Sequence, residues 1–139
     1  MTDEMEAAFG IRPVKAVPGL DLVCVFENEE QVRFMKPDQT LLIGIEGRIQ
    51  NATAHGKDVD CVSRSFAPKL AVAEDPVCGS AHCQIAAYWT SILGKKRIVA
   101  YQASKRGGTL YCEMLDNGRI AISGEAALVA ISDIKADLR

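Results

Sequence analysis

The densest chemistry in this 139-residue sequence lies in one run, Glu74-Asp75-Pro76-Val77-Cys78-Gly79-Ser80-Ala81-His82-Cys83. Two carboxylates stand before a tight turn, and the turn feeds an uncharged helical stretch that starts at Gly79. The first N–H groups of a helix have no partner within it, and its dipole favours negative charge there. Gly79 lets a ligand come close to the backbone, and Ser80 adds a hydroxyl. Such an arrangement suits a carboxylate. The competing reading is that Ser80 or Asp75 only caps the helix, as these residue types do everywhere, and spacing alone favours it.

Cys78 sits at the same helix start. If partly exposed, a thiol there has a lowered pKa and a raised thiolate fraction. Otherwise it is a small buried hydrophobe. Cys78 and His82 are one turn apart, so a thiol–imidazole pair or two zinc ligands are conceivable. With no further ligand in view and no paired CxxC spacing, a packed or hydrogen-bonded histidine is the better reading. A second candidate is Ser104-Lys105-Arg106-Gly107-Gly108, a turn that can offer N–H groups to an anion, against the plainer reading of a hairpin loop with solvated charges. Glu46, Glu74 and Glu125 are possible acid–base groups, although most such carboxylates are surface charges. His55 reads as a loop residue.

The elements that must position these residues follow from periodicity and turn signals. Met1–Gly10 reads as a loose lead-in and 11–139 as one domain. Leu20–Phe26 is a strand apolar on both faces. Asn28 starts a short helix to about Met35, and Pro37-Asp38 starts another that ends near Gly44 or Gly47. Arg48–His55 and Val59–Phe66 alternate as strands, with Val59 and Cys61 on one face and Val62, Arg64 and Phe66 on the other. Gly79–Leu93 is the strongest helix and ends at Gly94. It carries no charge, so it is expected to be surrounded by protein. Arg97–Ala103, Thr109–Leu115 and Arg119–Ser123 are strands, the last two joined by the hairpin signal Asp116-Asn117-Gly118. Ala126–Ile131 is one more candidate strand and Lys135–Arg139 a frayed end. The expected class is α+β, a curved mixed or antiparallel sheet around a central apolar helix.

Composition sets the outer bounds. Hydrophobic residues make up 48% and charged residues 24%, and the net charge is −2. That is globular composition, with no basic footprint for nucleic acid or an anionic membrane. Five cysteines are odd in number and follow no disulfide framework, and the acidic N-terminus does not read as a secretory signal. A cytoplasmic protein with reduced thiols is the expectation. The uncharged stretch Pro76–Gly94 is too polar for a membrane span.

Arg64–Pro68, Glu74–Cys83, Tyr88-Trp89, Leu93-Gly94-Lys95, Gln102-Ala103-Ser104 and Arg106-Gly107-Gly108 together resemble the phenazine-biosynthesis F-like isomerase family. The blocks match in order and spacing from about Arg64 to Ile131, and Leu20–Val62 more loosely. The resemblance implies a diaminopimelate epimerase-like fold: two similar lobes, each a curved sheet around a central helix, with substrate between them. It implies proton abstraction and return on a small carboxylate-bearing metabolite, with no metal and no organic cofactor. It further implies that Asp75, as a catalytic residue, hydrogen-bonds the substrate near the reacting carbon, that Gly79 and Ser80 bind the carboxylate, and that Gly107 and Gly108 border the pocket.

Two departures qualify the match. The chain corresponds to the C-terminal lobe only, and the family's general-base glutamate belongs to the other lobe. The expected partner is therefore a second copy of this chain or a separate N-terminal lobe. The alternative is a lone lobe that binds a carboxylate or serves as an assembly subunit. The family also usually carries threonine where Cys78 stands, whereas related racemases have their catalytic cysteine there. Cys78 is accordingly either a thiol acid–base group or a conservative replacement.

Overall fold

The computed structural model describes residues 2–135. In chain order it contains α1 (Asp3–Phe9), β1 (Lys15–Val17), β2 (Leu22–Val25), α2 (Glu29–Phe34), α3 (Gln39–Gly44), β3 (Gln50–His55), β4 (Cys61–Ala67), β5 (Val72–Asp75), α4 (Gly79–Leu93), β6 (Arg97–Gln102), β7 (Gly108–Met114) and β8 (Ile120–Gly124). A single 3₁₀ turn, Pro68–Leu70, links β4 to β5. The class is mixed α+β, with a curved, unclosed mixed sheet.

The sheet runs β1-β2-β3-β4-β6-β7-β8. β2 and β3 are parallel, as are β4 and β6, and the remaining pairs are antiparallel. One edge of β4 is shared. Cys61–Ser63 pair with β6, while Ser65 and Ala67 pair with β5 across a register shift. α4 leaves from the fork between these two partners, because it connects β5 to β6.

Local chemistry accounts for most of the short elements. The Asn28 side chain accepts the Gln31 N–H at the start of α2. The Asp38 side chain accepts from Thr40 and Leu41 at the start of α3. α4 stops at Gly94, which takes a left-handed conformation at φ 63° and donates its N–H to the Thr90 carbonyl. In the β7–β8 turn Gly118 has φ 77°, and the Asn117 side chain accepts the Arg119 N–H.

Two apolar clusters lie on opposite faces of the central strands. One joins Phe9, Val32, Met35 and Leu42 of the three short helices and their flanks to Leu22, Ala52, Val62 and Phe66. The other joins Ala81, Ile85, Ala86 and Trp89 of α4 to Val23, Cys61, Ile98, Ala100 and Leu110. β2 is therefore buried along its whole length. β3 is too, apart from His55. The expected polar outer face of β3 does not exist, because helices cover both sides. Val59 packs with Val62 rather than with Cys61, since it precedes β4 and does not follow its alternation.

Four expectations need correction. The segment 1–10 is not a loose lead-in. Thr2 caps α1, and Ala8 and Phe9 are fully buried. Ala126–Ile131 forms no strand, and Leu128, Val129 and Ile131 are highly exposed. α4 is not enclosed all round: Ser80, Cys83, Ser91 and Ile92 face outward. Apart from Ile92, 54% exposed, these outward residues are small or neutral polar, which water accepts without any charge. β1 and β5 were not expected at all. The frayed end expected at Lys135–Arg139 lies, beyond Lys135, outside the described residues.

Phe9 meets Phe26 edge-on at 5.4 Å and Phe66 at 6.4 Å between ring centroids. Phe9→Ala is expected to destabilise the chain by about 3–5 kcal/mol in chemical denaturation, the usual cost of emptying an aromatic core position. A change below about 0.5 kcal/mol, typical of exposed sites, would return α1 to the status of a loose lead-in.

Candidate functional site

The pairing pattern brings one end of several strands together. The starts of β2, β3 and β7 and the ends of β4 and β6 share that end, and α4 begins there. The turn Pro76–Cys78 enters α4 with Cys78 in the cap position, yet among the described residues no side chain caps the helix. The capping alternative for Ser80 and Asp75 therefore fails. The Asp75 carboxylate instead accepts the Val77 N–H at 3.0 Å, bracing the turn before the helix. The N–H groups of the first turn are left to whatever lies in front of them.

The floor under this turn is polar and buried. Gln102, fully buried at the end of β6, accepts the Cys78 N–H at 2.7 Å and donates to the Asp75 carbonyl at 2.6 Å. Ser104 donates to the Pro76 carbonyl at 2.6 Å and accepts the Gly107 N–H at 3.1 Å. His82, also fully buried, lies 2.7 Å from the Cys78 carbonyl through Nδ1 and 3.2 Å from Ser63 Oγ through Nε2. A carbonyl only accepts, so Nδ1 carries the proton and the Ser63 hydroxyl donates to Nε2. Burial lowers the His82 pKa, which keeps this tautomer neutral. Beside it, Asn51 and Ser65 are cross-strand partners whose buried side-chain polar atoms are unpaired among the described residues.

Each candidate residue can now be placed. Asp75 is half-buried at the end of β5. Cys78 is only 5% exposed, with Sγ 3.4 Å from Ser80 Oγ. It packs with Ala81 and Ile85 instead of facing out as a partly exposed thiol. Both ring nitrogens of His82 are engaged elsewhere, so the thiol–imidazole pair does not form and the ring is turned away from any Cys78–His82 metal site. Among the described residues no group of three or more His, Cys, Asp or Glu side chains is placed to hold a metal.

Gly79, Gly107 and Gly108 line one open cleft of about 830 Å³, together with Val77, Arg106 and Glu125. Gly107 has φ +72°, and a Cβ there would meet the Tyr101 hydroxyl at 2.2 Å. A Cβ at Gly108 would meet Val77 at 2.4 Å. Gly108 thus lets the start of β7 press against the site turn, and Gly107 lets the preceding turn pass close to Tyr101. The Gly107 N–H is already bound by Ser104, so it is not offered to an anion. A Cβ built at Gly79, in contrast, meets nothing within 4 Å beyond its chain neighbours and its own helix backbone.

Glu74 forms a two-pronged pair with Arg64, at 2.7 and 2.9 Å, and so serves as a structural anchor. Glu46 and Glu125 are exposed. His55 ends β3 and meets Trp89 edge-on.

Sequence reasoning missed Asp21, Arg48 and Gln84. Asp21, 1% exposed, accepts from Arg48 at 3.1 and 3.3 Å and from the Ile49 N–H at 3.2 Å. Its own N–H donates to Gln84 on α4 at 3.0 Å. Arg48 is raised above its ordinary pKa, chiefly by its hydrogen bond to Asp21 and then by that charge, with a smaller effect from the nearby Cys78 thiol. These contacts span 27 to 63 residues, and no local spacing signals them.

Residues 7–132 match the family model described as phenazine biosynthesis-like protein. The chain belongs to that family. An uncharacterized isomerase of Pseudomonas aeruginosa is 44% identical over 135 residues, covering 96% of this chain and 51% of that protein. The human phenazine biosynthesis-like domain-containing protein is 42% identical over 103 residues, covering 74% of this chain and 35% of its own. Among solved structures, a putative phenazine biosynthesis protein from Clostridium difficile superposes with a TM-score of 0.87 at 36% identity, covering 98% of this chain and 52% of the other. A PhzF-family protein from Enterococcus faecalis gives 0.82 at 42% identity, covering 92% and 52%. The chain thus spans about half the length of the curated isomerases it matches.

Two outcomes follow for the site's titratable groups. His82 has a depressed folded pKa, so its share of stability is complete above the ordinary imidazole value of about 6.5 and falls as pH drops below it. Unfolding free energy is expected to decline between pH 7 and 5, and His82→Asn to flatten that decline. An unchanged slope in the variant would show that His82 is not the group responsible. For the thiols, burial pushes Cys24 up to about 12 and Cys112 up to about 11, and it also raises Cys61. In a timed iodoacetamide reaction at pH 7.5, exposed Cys83 is expected to label first. Labelling of Cys78 ahead of Cys83 would contradict its burial.

Proposed function

We propose that this chain supplies half of the active site of an isomerase that moves a proton on a small carboxylate-bearing metabolite, without metal or organic cofactor. The observation that carries the reading is the uncapped N-terminus of α4. At Gly79, in its first turn, an added Cβ would meet nothing beyond its chain neighbours and its own helix backbone. A substrate carboxylate would take the N–H groups of Gly79 and Ser80 and the Ser80 hydroxyl, where the helix dipole also favours it. Relatives named as isomerases agree with the reaction class.

A proton on carbon beside a carboxylate leaves reluctantly, so the base must be well placed. Asp75, at the lip of the same turn, is the acid–base group this chain offers at the reacting carbon. Cys78 is the less suited of the two candidates, since its thiol packs inward. Its place beside Ser80 fits a small side chain that supports the turn. Gly107 and Gly108 border the cleft and fix its wall. The opposing acid–base group would come from the partner, either a second copy or a separate N-terminal lobe. The apolar side chains Leu128, Val129 and Ile131, with the open face of α4, offer surface for such a partner to cover.

Gly79→Ala separates binding from folding. A Cβ there is free of protein contacts and favours helix, so stability should hold or rise slightly. Acetate binding, followed by the amide shifts of residues 79–81, should be lost. Ser80→Ala should weaken acetate several-fold with stability within about 0.5 kcal/mol. Unaltered acetate shifts in Gly79→Ala would refute the carboxylate site.

A further inference from the structure

Gln102 ends β6 opposite Ser63, immediately below the fork in β4. The orientation of its amide is fixed by its partners. The Cys78 N–H only donates, so Oε1 faces it, and the Asp75 carbonyl only accepts, so Nε2 faces that. From below, one side chain therefore holds both ends of the site turn, the carbonyl of Asp75 and the N–H of Cys78. His82 holds the Cys78 carbonyl from the helix side. Ser104 holds the Pro76 carbonyl between them.

We propose that Gln102 is the positioning residue of this site. Its amide is a donor–acceptor bracket that sets the height of the Asp75 carboxylate relative to the first turn of α4. The proposal rests on the carboxylate-site reading above. The chemistry needed is narrow: one acceptor and one donor, side by side on a fully buried side chain. An ionised carboxylate offers only acceptors, and one of its oxygens would face the Asp75 carbonyl in repulsion. A thioether offers neither bond. Loss of the bracket would leave the buried polar groups of the turn unpaired, and the turn would move to repair this.

The requirement gives a test that a merely space-filling role does not pass. In Gln102→Glu the neutral carboxyl keeps both bonds, because its hydroxyl donates to Asp75 and its carbonyl accepts from Cys78. The ionised form cannot donate. Burial raises the pKa of such a carboxyl, so its titration is expected above the ordinary carboxylate range.

On the ¹⁵N-labelled full chain, the Cys78 amide resonance and its hydrogen-exchange protection should follow that titration in Gln102→Glu. The Kd for acetate should weaken roughly tenfold across it, about the loss of one buried hydrogen bond. The native chain should stay flat over the same range, and Gln102→Met should be weak throughout. A Gln102→Glu protein whose Cys78 amide and acetate Kd match the native chain at every pH would overturn the proposal.

If acetate does not shift the Gly79 and Ser80 amides of the native chain, the carboxylate reading fails. The bracket is then judged on the Cys78 amide alone, where a pH-independent signal overturns it. If neither variant folds, the native chain decides, through the scalar coupling from the Cys78 amide nitrogen to the Gln102 side-chain carbonyl carbon. Detecting that coupling supports the bracket, and failure to detect it refutes the bracket.

Discussion

The arrangement depends on the shared edge of β4. A strand edge presents a row of N–H and C=O groups that must find partners when buried. Here the row is divided between β6 over Cys61–Ser63 and β5 over Ser65 and Ala67. Two strands that diverge from one edge leave a gap, and backbone in that gap has no ladder to join. The chain fills it with the turn Pro76–Cys78 and satisfies the turn with side chains: Gln102, Ser104 and His82. The helix start is therefore held from beneath and left open in front. A side-chain cap, had one been present, would have occupied the same N–H groups.

The same fork explains why β4 carries so much of the remaining structure. Its residues alternate between two interiors. Val62 and Phe66 point to the short helices, while Cys61 and Ala67 point to the α4 side. Arg64 lies between, braced by Glu74 on β5 and the Met35 carbonyl after α2, with its guanidinium 4.9 Å from the Phe66 ring. Only 13% of the Arg64 side chain and 22% of the Glu74 side chain are exposed. Breaking such a shielded pair leaves a charge without its partner, which is costly. Arg64 thus ties β5, an otherwise exposed four-residue strand, to the rest of the sheet.

How far the sequence discloses this depends on the range of the interaction. α4, α2, α3 and the β7–β8 turn are set by local chemistry: Gly94, Asn28, Asp38 and Asn117-Gly118 act within four residues of themselves. They are read correctly from the chain. α1 carried a comparable signal, with Thr2 as cap and Met5, Ala8 and Phe9 on one face, but its acidic first turn disguised it as a solvated tail. β5 has no strong signal of its own and exists because β4 has an edge to fill. The polar residues of β3 suggest a solvent face, and only the packing of helices on both sides shows that Asn51 and Thr53 are interior. Of the candidate site, Asp75, Gly79 and Ser80 lie at or beside a readable helix start. Asp21, Arg48 and Gln84 become neighbours only through the fold, and Gln102 meets the site turn across 24 and 27 residues.

At Cys78 the fold bears on readings that sequence leaves equal. A cysteine at a helix start is a reactive thiol only if it can be reached. Its carbonyl and N–H are both held by buried side chains, which leaves the residue little freedom to rotate outward. The thiol consequently points to Ala81 and Ile85, and the surface of the turn is left to Gly79 and Ser80. The imidazole that might have activated the thiol is spent on the backbone carbonyl instead. One set of hydrogen bonds thus removes the thiol from the front of the site and keeps the helix N–H groups there. The two consequences cannot be separated without rebuilding the turn.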